Sequence, residues 1–110
     1  MAGWYELTKS DNGQYSFALK AGNSEVILRS EQYEAKASAT NGIASVQANS
    51  AVDERYDRKV AKDGRPYFNL KAGNHQIVGT SQMYSSEATC AAGIASVKIN
   101  GPSTTVKDLS

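Results

Sequence analysis

The sequence predicts an α+β fold in which two tandem units, each a set of strands followed by one helix, share one sheet and one core. Three observations predict it. The chain repeats itself at a fixed offset. Within each copy an alternating pattern gives way to a helical one. A length of 110 residues holds one ordinary domain or two half-size units on a common core, whereas two separate units of half that size would each be marginal.

The repeat comes first because it organises everything else. Gly42-Ile43-Ala44-Ser45-Val46 returns as Gly93-Ile94-Ala95-Ser96-Val97, an offset of 93 − 42 = 51. The same offset pairs Tyr5 with Tyr56, Gly13 with Gly64, Phe17 with Phe68, Ser30 with Ser81 and Tyr33 with Tyr84. It also superposes Leu19-Lys20-Ala21-Gly22-Asn23 on Leu70-Lys71-Ala72-Gly73-Asn74. From Trp4/Arg55 to Ser50/Gly101 no gap is needed, and 17 of the 47 aligned pairs are identical, far above chance. Self-similarity at a fixed period marks a duplication. Repeat 1 is therefore placed at 4–50, repeat 2 at 55–101 and a C-terminal strand at 102–110, within a single domain of 1–110.

Each unit opens with a short strand, Trp4–Ser10 and Arg55–Ala61, in which Tyr5 and Leu7 alternate with polar residues. Asp11-Asn12-Gly13 and Lys62-Asp63-Gly64 are hairpin turns, since Asn-Gly and Asp-Gly tolerate positive φ. The second strand, Gln14–Ala21, alternates Tyr15, Phe17 and Leu19 with Ser16, Ala18 and Lys20. In the copy Pro66 opens the strand, where a missing N–H is tolerated. The repeated Ala-Gly-Asn makes the second turn, and Glu25–Glu31 and Gln76–Gln82 read as third strands. The period then changes. Ala39, Ile43 and Val46, and Cys90, Ile94 and Val97, fall at i, i+4 and i+7 along helices, the first over Glu34–Asn49 and the second behind an N-cap at Ser85. Gly42 and Gly93 sit inside these helices at a cost of about 1 kcal/mol against alanine, which implies close approach to a neighbouring element. A β-prone tail, Ser103–Leu109, is too short to stand alone and is expected to pair across the molecule.

The pattern Gly-x-x-x-Phe-x-Leu-Lys-Ala-Gly-Asn, then Ser-x-x-Tyr, then Gly-Ile-Ala-Ser-Val, present twice over nearly the whole chain, closely resembles the YegP-like family of small bacterial proteins. The resemblance implies tandem β(3)-α-β units forming one antiparallel sheet with two helices on one face. It implies pseudo-twofold symmetry, with the C-terminal strand exchanged between units. It implies no activity, because the family is one of unknown function, and it supplies no catalytic residues.

The residues offer little chemistry. His75 is the only histidine and falls in a hairpin turn opposite Ser24, with no nucleophile in evidence. One histidine and one cysteine make neither a CxxC nor an HxxxH pair, so no metal and no cofactor are expected. Cys90 aligns with Ala39 on an apolar helix face and reads as a small buried hydrophobe. Glu6, Glu25, Glu31 and Glu34 show no pairing shared by both copies, which leaves an acid/base carboxylate pair without support. Most polar residues kept in both copies have structural duties. Asn23 and Asn74 suit turns, Ser30 and Ser81 strand ends, and Asn49 and Asn100 helix ends. Lys20 and Lys71, together with Tyr33 and Tyr84 at the strand–helix corners, are the candidates for a ligand or partner surface.

Charge adds one asymmetry. The whole chain carries +1, too little to drive it onto nucleic acid or an acidic membrane. Repeat 1 carries four basic and five acidic residues, and repeat 2 seven and three, hence −1 and +4. Arg55, Arg58, Lys59, Lys62 and Arg65 crowd the hairpin 55–65, beside Tyr67, and form a candidate nucleic-acid patch; a solvated edge hairpin explains them as well. The start MAGWYELTKSD lacks a signal sequence's basic and apolar regions, and no stretch approaches a membrane span. A lone cysteine fits a reducing compartment. The expectation is a cytoplasmic, monomeric, non-enzymatic binding or interaction protein. Its partner would be an unknown protein or small ligand on the open sheet face, with nucleic acid through hairpin 55–65 as the alternative and no membrane.

Overall fold

The computed structural model describes residues 3–110. Its turns form where their side chains can substitute for backbone partners. Asn12 and Asp63 each accept a hydrogen bond from the backbone N–H two residues on, at 3.1 Å, and Asn23 and Asn74 do the same at the second turn. Ser24 and His75 take the left-handed conformation there, at φ 71° and 69°. Between the turns run β1 (Trp4–Lys9), β2 (Tyr15–Lys20) and β3 (Val26–Arg29), followed by α1 (Lys36–Asn49). After a short 3₁₀ turn at Asp53–Arg55 the second unit gives β4 (Tyr56–Val60), β5 (Pro66–Lys71), β6 (Ile77–Thr80) and α2 (Glu87–Asn100), and β7 (Val106–Asp108) ends the fold.

The helices begin later than expected. α1 follows Ala35 without a side-chain cap, and the N-cap of α2 is Ser86 rather than Ser85. Ser86 wins because Thr89, three residues on, completes a reciprocal capping box with it.

All the strands form one sheet of order β4-β5-β6-β3-β2-β1-β7. Without β7, exchanging each strand for its repeat counterpart gives the same order read from the other end. The pairings are antiparallel except one: β7 lies parallel to β1, so the sheet is mixed rather than wholly antiparallel. The cause is where α2 ends. Asn100 Oδ1 accepts the Gly3 N–H at 2.7 Å, and Ser103 Oγ donates to the Gly3 carbonyl at 2.7 Å. The tail therefore starts beside the first residues of β1 and runs alongside it, the Tyr5 N–H donating to Thr105 O at 2.9 Å. Among the described residues β4 pairs with β5 alone.

Both helices pack on the same face. Ala39, Ile43, Val46, Cys90, Ile94 and Val97 join Tyr5, Phe17, Leu19, Leu28, Phe68 and Leu70 in one core. Tyr5 donates its hydroxyl to the Gly101 carbonyl at the end of α2, and Tyr56 donates to the Ser50 carbonyl at the end of α1, both at 2.6 Å. Each unit's first strand thus holds the end of the other unit's helix. Burial pushes both phenol pKa values up.

The helix glycines admit a tyrosine. A Cβ on Gly42 would stand 2.8 Å from Tyr33 Oη, and one on Gly93 would strike Tyr84 Oη and stand 2.5 Å from its Cζ. Another glycine matters between β3 and β6. Leu28 is buried, and its counterpart Gly79 supplies the space that Leu28 fills, since a Cβ there would lie 2.6 Å from Leu28 Cδ2. Where the two units meet, one large and one small residue share a single space.

Candidate functional site

With the helices on one face, the other face of the sheet is open. Register places one residue from every strand in a single transverse row on it: Asp57, Asn69, Thr80, Arg29, Ala18, Glu6 and Lys107. The residues that alternate with them, Tyr5, Leu28, Phe68 and Leu70 among them, are in the core.

Near each end of the row stands a neutralised lysine. Lys20 Nζ lies 3.1 Å from Glu6, and Lys71 Nζ lies 3.0 Å from Asp57, which also takes Lys59 at 3.2 Å. Glu6 is held below the usual carboxylate range first by the Trp4 indole N–H, 2.9 Å away, and then by Lys20. Asp57 is held down by Lys71 first and by Lys59 second. Glu6 and Asp57 are repeat counterparts, so a carboxylate–lysine pair recurs in both copies. An acidic-for-acidic comparison at offset 51 reveals it; an identity count does not.

The centre of the row differs. Arg29 is exposed and enters no ion pair among the described residues, and its counterpart is neutral Thr80, whose hydroxyl donates to Asn69 Oδ1 at 2.9 Å. Shallow clefts of about 270 and 340 Å³ flank the guanidinium. One is walled by Val26, Thr80 and Gln82, and the other by Ser16, Lys20 and Gln32. Repeat comparison missed Arg29 because the second copy carries no cation there.

The remaining candidates divide between faces. Tyr33 and Tyr84 lie on the helix side, stacked on Phe17 and Phe68 at 6.4 and 6.3 Å with their hydroxyls on the helix glycines. The structure therefore does not bring them together with Lys20 and Lys71. The basic hairpin is also divided. Arg55 Nε donates to Asn49 Oδ1 at 3.0 Å, Arg65 pairs with Asp63 at 2.6 Å, and Lys59 pairs with Asp57 on the open face. Arg58 stands on the helix side near Cys90, and Lys62 is exposed at the turn.

Polar residues shared by the repeats hold the fold. Ser30 and Ser81 accept the Phe17 and Phe68 N–H groups at 2.9 and 3.0 Å, and their hydroxyls donate to the carbonyls of Glu31 and Gln82. Asn49 and Asn100 donate back to the Ser45 and Ser96 carbonyls. Cys90 is buried, and burial raises its pKa, the opposite of what a reactive thiol needs. His75 is exposed in its turn. Among the described residues no helix is long and apolar enough to cross a membrane.

A family model described as "Domain of unknown function (DUF1508)" matches the chain twice, at residues 10–57 and 61–108, and the two starts are 61 − 10 = 51 residues apart. A UPF0339 protein of Acinetobacter baylyi is 64% identical over 109 residues, covering 99% of this chain and 98% of its own length. The UPF0339 protein YegP of Escherichia coli K12 is 60% identical over 108 residues, covering 98% of both. The solution NMR structure of UPF0339 protein SO3888 from Shewanella oneidensis superposes with a TM-score of 0.94 at 63% identity, covering 99% of this chain and 92% of that one. That of Escherichia coli yegP, titled a protein of unknown function, gives 0.94 at 60% identity, covering 99% and 94%.

Proposed function

The chain belongs to the DUF1508 family, with two copies of its domain, and on that premise we propose that it is a non-enzymatic interaction protein whose open sheet face receives a protein or small-ligand partner. It acts as a monomer in the cytoplasm, the two copies standing in for the two partners of a dimer. One observation carries the reading. The helices cover one face of a seven-stranded sheet, while the other presents a mostly polar row flanked by two neutralised lysines, Lys20 and Lys71, with a central cation, Arg29, that enters no ion pair among the described residues and is placed to meet an incoming group. Guanidinium is suited to that task, since it presents a planar fork of donors to a carboxylate or phosphate. An enzyme would need a nucleophile, a base and an orienting group in contact. The row's paired charges are salt bridges, and the buried cysteine and turn histidine are far from such an arrangement in kind.

The nucleic-acid alternative has weaker support, because three of the five hairpin cations are engaged by Asn49, Asp57 and Asp63. Both readings are tested by placing a photo-crosslinking residue at Arg29, at Lys62 and at exposed Thr40 of α1, then irradiating cells. Adducts to protein or small molecules from position 29, absent from 40 and lost on Arg29→Glu in a neighbouring-probe version at Thr80, support the open face. Adducts only from α1 overturn it. Nucleic-acid adducts from position 62, weakening steeply with salt, would install the alternative.

A further inference from the structure

The two repeats differ in one respect that side-chain comparison does not show: their first strands have different neighbours. β1 lies inside the sheet because β7 covers its outer side, whereas β4, its counterpart, is the sheet edge. We propose that the outer edge of β4 is a strand-addition site, taking in parallel orientation an extended segment of another protein with an apolar residue followed two positions later by a lysine or arginine.

β7 on β1 is the template. There the Tyr5 N–H donates to Thr105 O at 2.9 Å and the Leu109 N–H donates to Leu7 O at 2.8 Å, with Val106, Lys107 and Asp108 in register with Tyr5, Glu6 and Leu7. Val106 and Asp108 therefore face the helices, and Asp108 reaches across to an ion pair with Lys36 at the start of α1. On the second unit the Tyr56 N–H, counterpart of the Tyr5 donor, is already taken by the Asp53 carbonyl of the 3₁₀ turn, and among the described residues the outer edge of β4 lies open beyond it, along Arg58 and Val60. The cleft there, of about 160 Å³, has Val60, Pro66 and Cys90 as its apolar walls, and Arg58, Glu87 and Lys59, the last paired with Asp57, as its charged rim. Neither Arg58 nor Glu87 is in an ion pair among the described residues. Main-chain bonding supplies affinity in such additions, and alternate side chains supply selection.

Charge selects the occupant. At the helix start, where β7 finds Lys36, a strand on β4 finds Glu87, the repeat counterpart with the opposite sign. A residue in the Asp108 place therefore meets a carboxylate and is favoured as a cation. Arg58, standing where Leu7 stands, borders the same place. The template nevertheless shows that the residue there reaches the helix rather than the neighbouring strand, and so Glu87 decides. The same reversal disfavours the tail of a second copy, whose Asp108 on β4 would face Glu87. Arg58 and Lys59 also keep the edge closed to indiscriminate pairing. A second copy is thereby disfavoured as occupant.

The test titrates the full chain, followed by amide chemical shifts, with two synthetic peptides. One has the chain's own sequence Ser103–Ser110 and the other is the same peptide with Asp108→Lys. The expected result is that the lysine peptide perturbs Tyr56–Val60 but not Tyr5–Leu7, and binds roughly two- to five-fold tighter than the aspartate peptide, as befits one exposed ion pair. Glu87→Lys in the full chain should reverse the preference, and Glu87→Gln should abolish it. Exposed Glu87 tolerates both changes, which an otherwise unchanged spectrum verifies. No perturbation of β4 by either peptide at millimolar concentration, perturbation of β1 instead, or a preference indifferent to residue 87 would each overturn the proposal. The open-face reading stands or falls separately, since it turns on Arg29, whereas the peptide preference turns on Glu87 beside the helix-side cleft.

Discussion

Gly93→Ala sets two effects of opposite sign against each other, and the structure decides which wins. Alanine in a helix interior is favoured over glycine by about 1 kcal/mol, so propensity alone expects a more stable protein. The added methyl, however, collides with Tyr84 Oη and stands 2.5 Å from Cζ and 3.1 Å from Cε2, where ordinary contact needs about 3.5 Å or more. The ring has little room to retreat, being stacked on buried Phe68 at 6.3 Å and 8°. Overpacking of this kind costs about 1–3 kcal/mol. The collision involves a ring rather than a flexible chain end, which places it toward the upper part of that range. Net destabilisation of about 1–2 kcal/mol follows, a fall in Tm of roughly 4–8 °C for a domain of this size. Gly42→Ala should be milder, because its closest approaches, to Phe17 Cε2 and Tyr33 Oη, are both 2.8 Å. Thermal and urea unfolding of the single variants measures both. The decisive comparison adds Tyr84→Leu: in that background the obstacle is gone, and Gly93→Ala should turn stabilising. If Gly93→Ala raises the Tm of the otherwise native chain, the tyrosine does not account for the glycine.

Leu28→Ala should cost about 2–5 kcal/mol in urea unfolding as a buried large-to-small change, and Gly79→Ala should be destabilising alone yet less so in the Leu28→Ala background, because the two share one space; strict additivity would refute that sharing. Asp108 has a pKa depressed to about 2, by Lys36 first and then by Ser110. A depressed carboxylate stabilises above its unfolded value near 4 and loses that contribution as pH falls through the folded value. β7 should therefore loosen between about pH 4 and 2, reported by the fluorescence of Trp4, over whose ring Lys107 Nζ lies at 4.4 Å. Lys36→Met should move that transition toward pH 4, and an unmoved midpoint would contradict the assignment. Lys20→Met should change stability by no more than about 1 kcal/mol, since its partner Glu6 is partly exposed and keeps the Trp4 N–H; a loss above about 2 kcal/mol in chemical denaturation would make the lysine structural.

Much of the fold was legible because its causes are local. Alternation put Tyr5, Phe17 and Leu19 on one face and Lys20 on the other, and helical spacing put Ala39, Ile43 and Val46, with their counterparts, in the core. Turn chemistry at Asn12-Gly13 and Asp63-Gly64 set the hairpins, and the offset of 51 made each inference count twice. The site was less legible. Lys20 and Lys71 do share the open face, but Tyr33 and Tyr84 follow their strands beyond the reach of alternation and turn to the helices. Arg29 left no repeat signal, and its central place depends on its pairing with Thr80.

By itself, then, the sequence determined the two units, their strands and helices, and which face of each strand is apolar, because turns, periods and side-chain polarity act within a few residues along the chain. Tertiary structure alone decided which strand neighbours which. It set β7 parallel on β1 through the Asn100–Gly3 contact, left β4 as an edge, and gave Leu28 the space of Gly79. Such choices are made between residues distant in sequence, where close packing admits one side chain to a space and no periodicity records which one it will be.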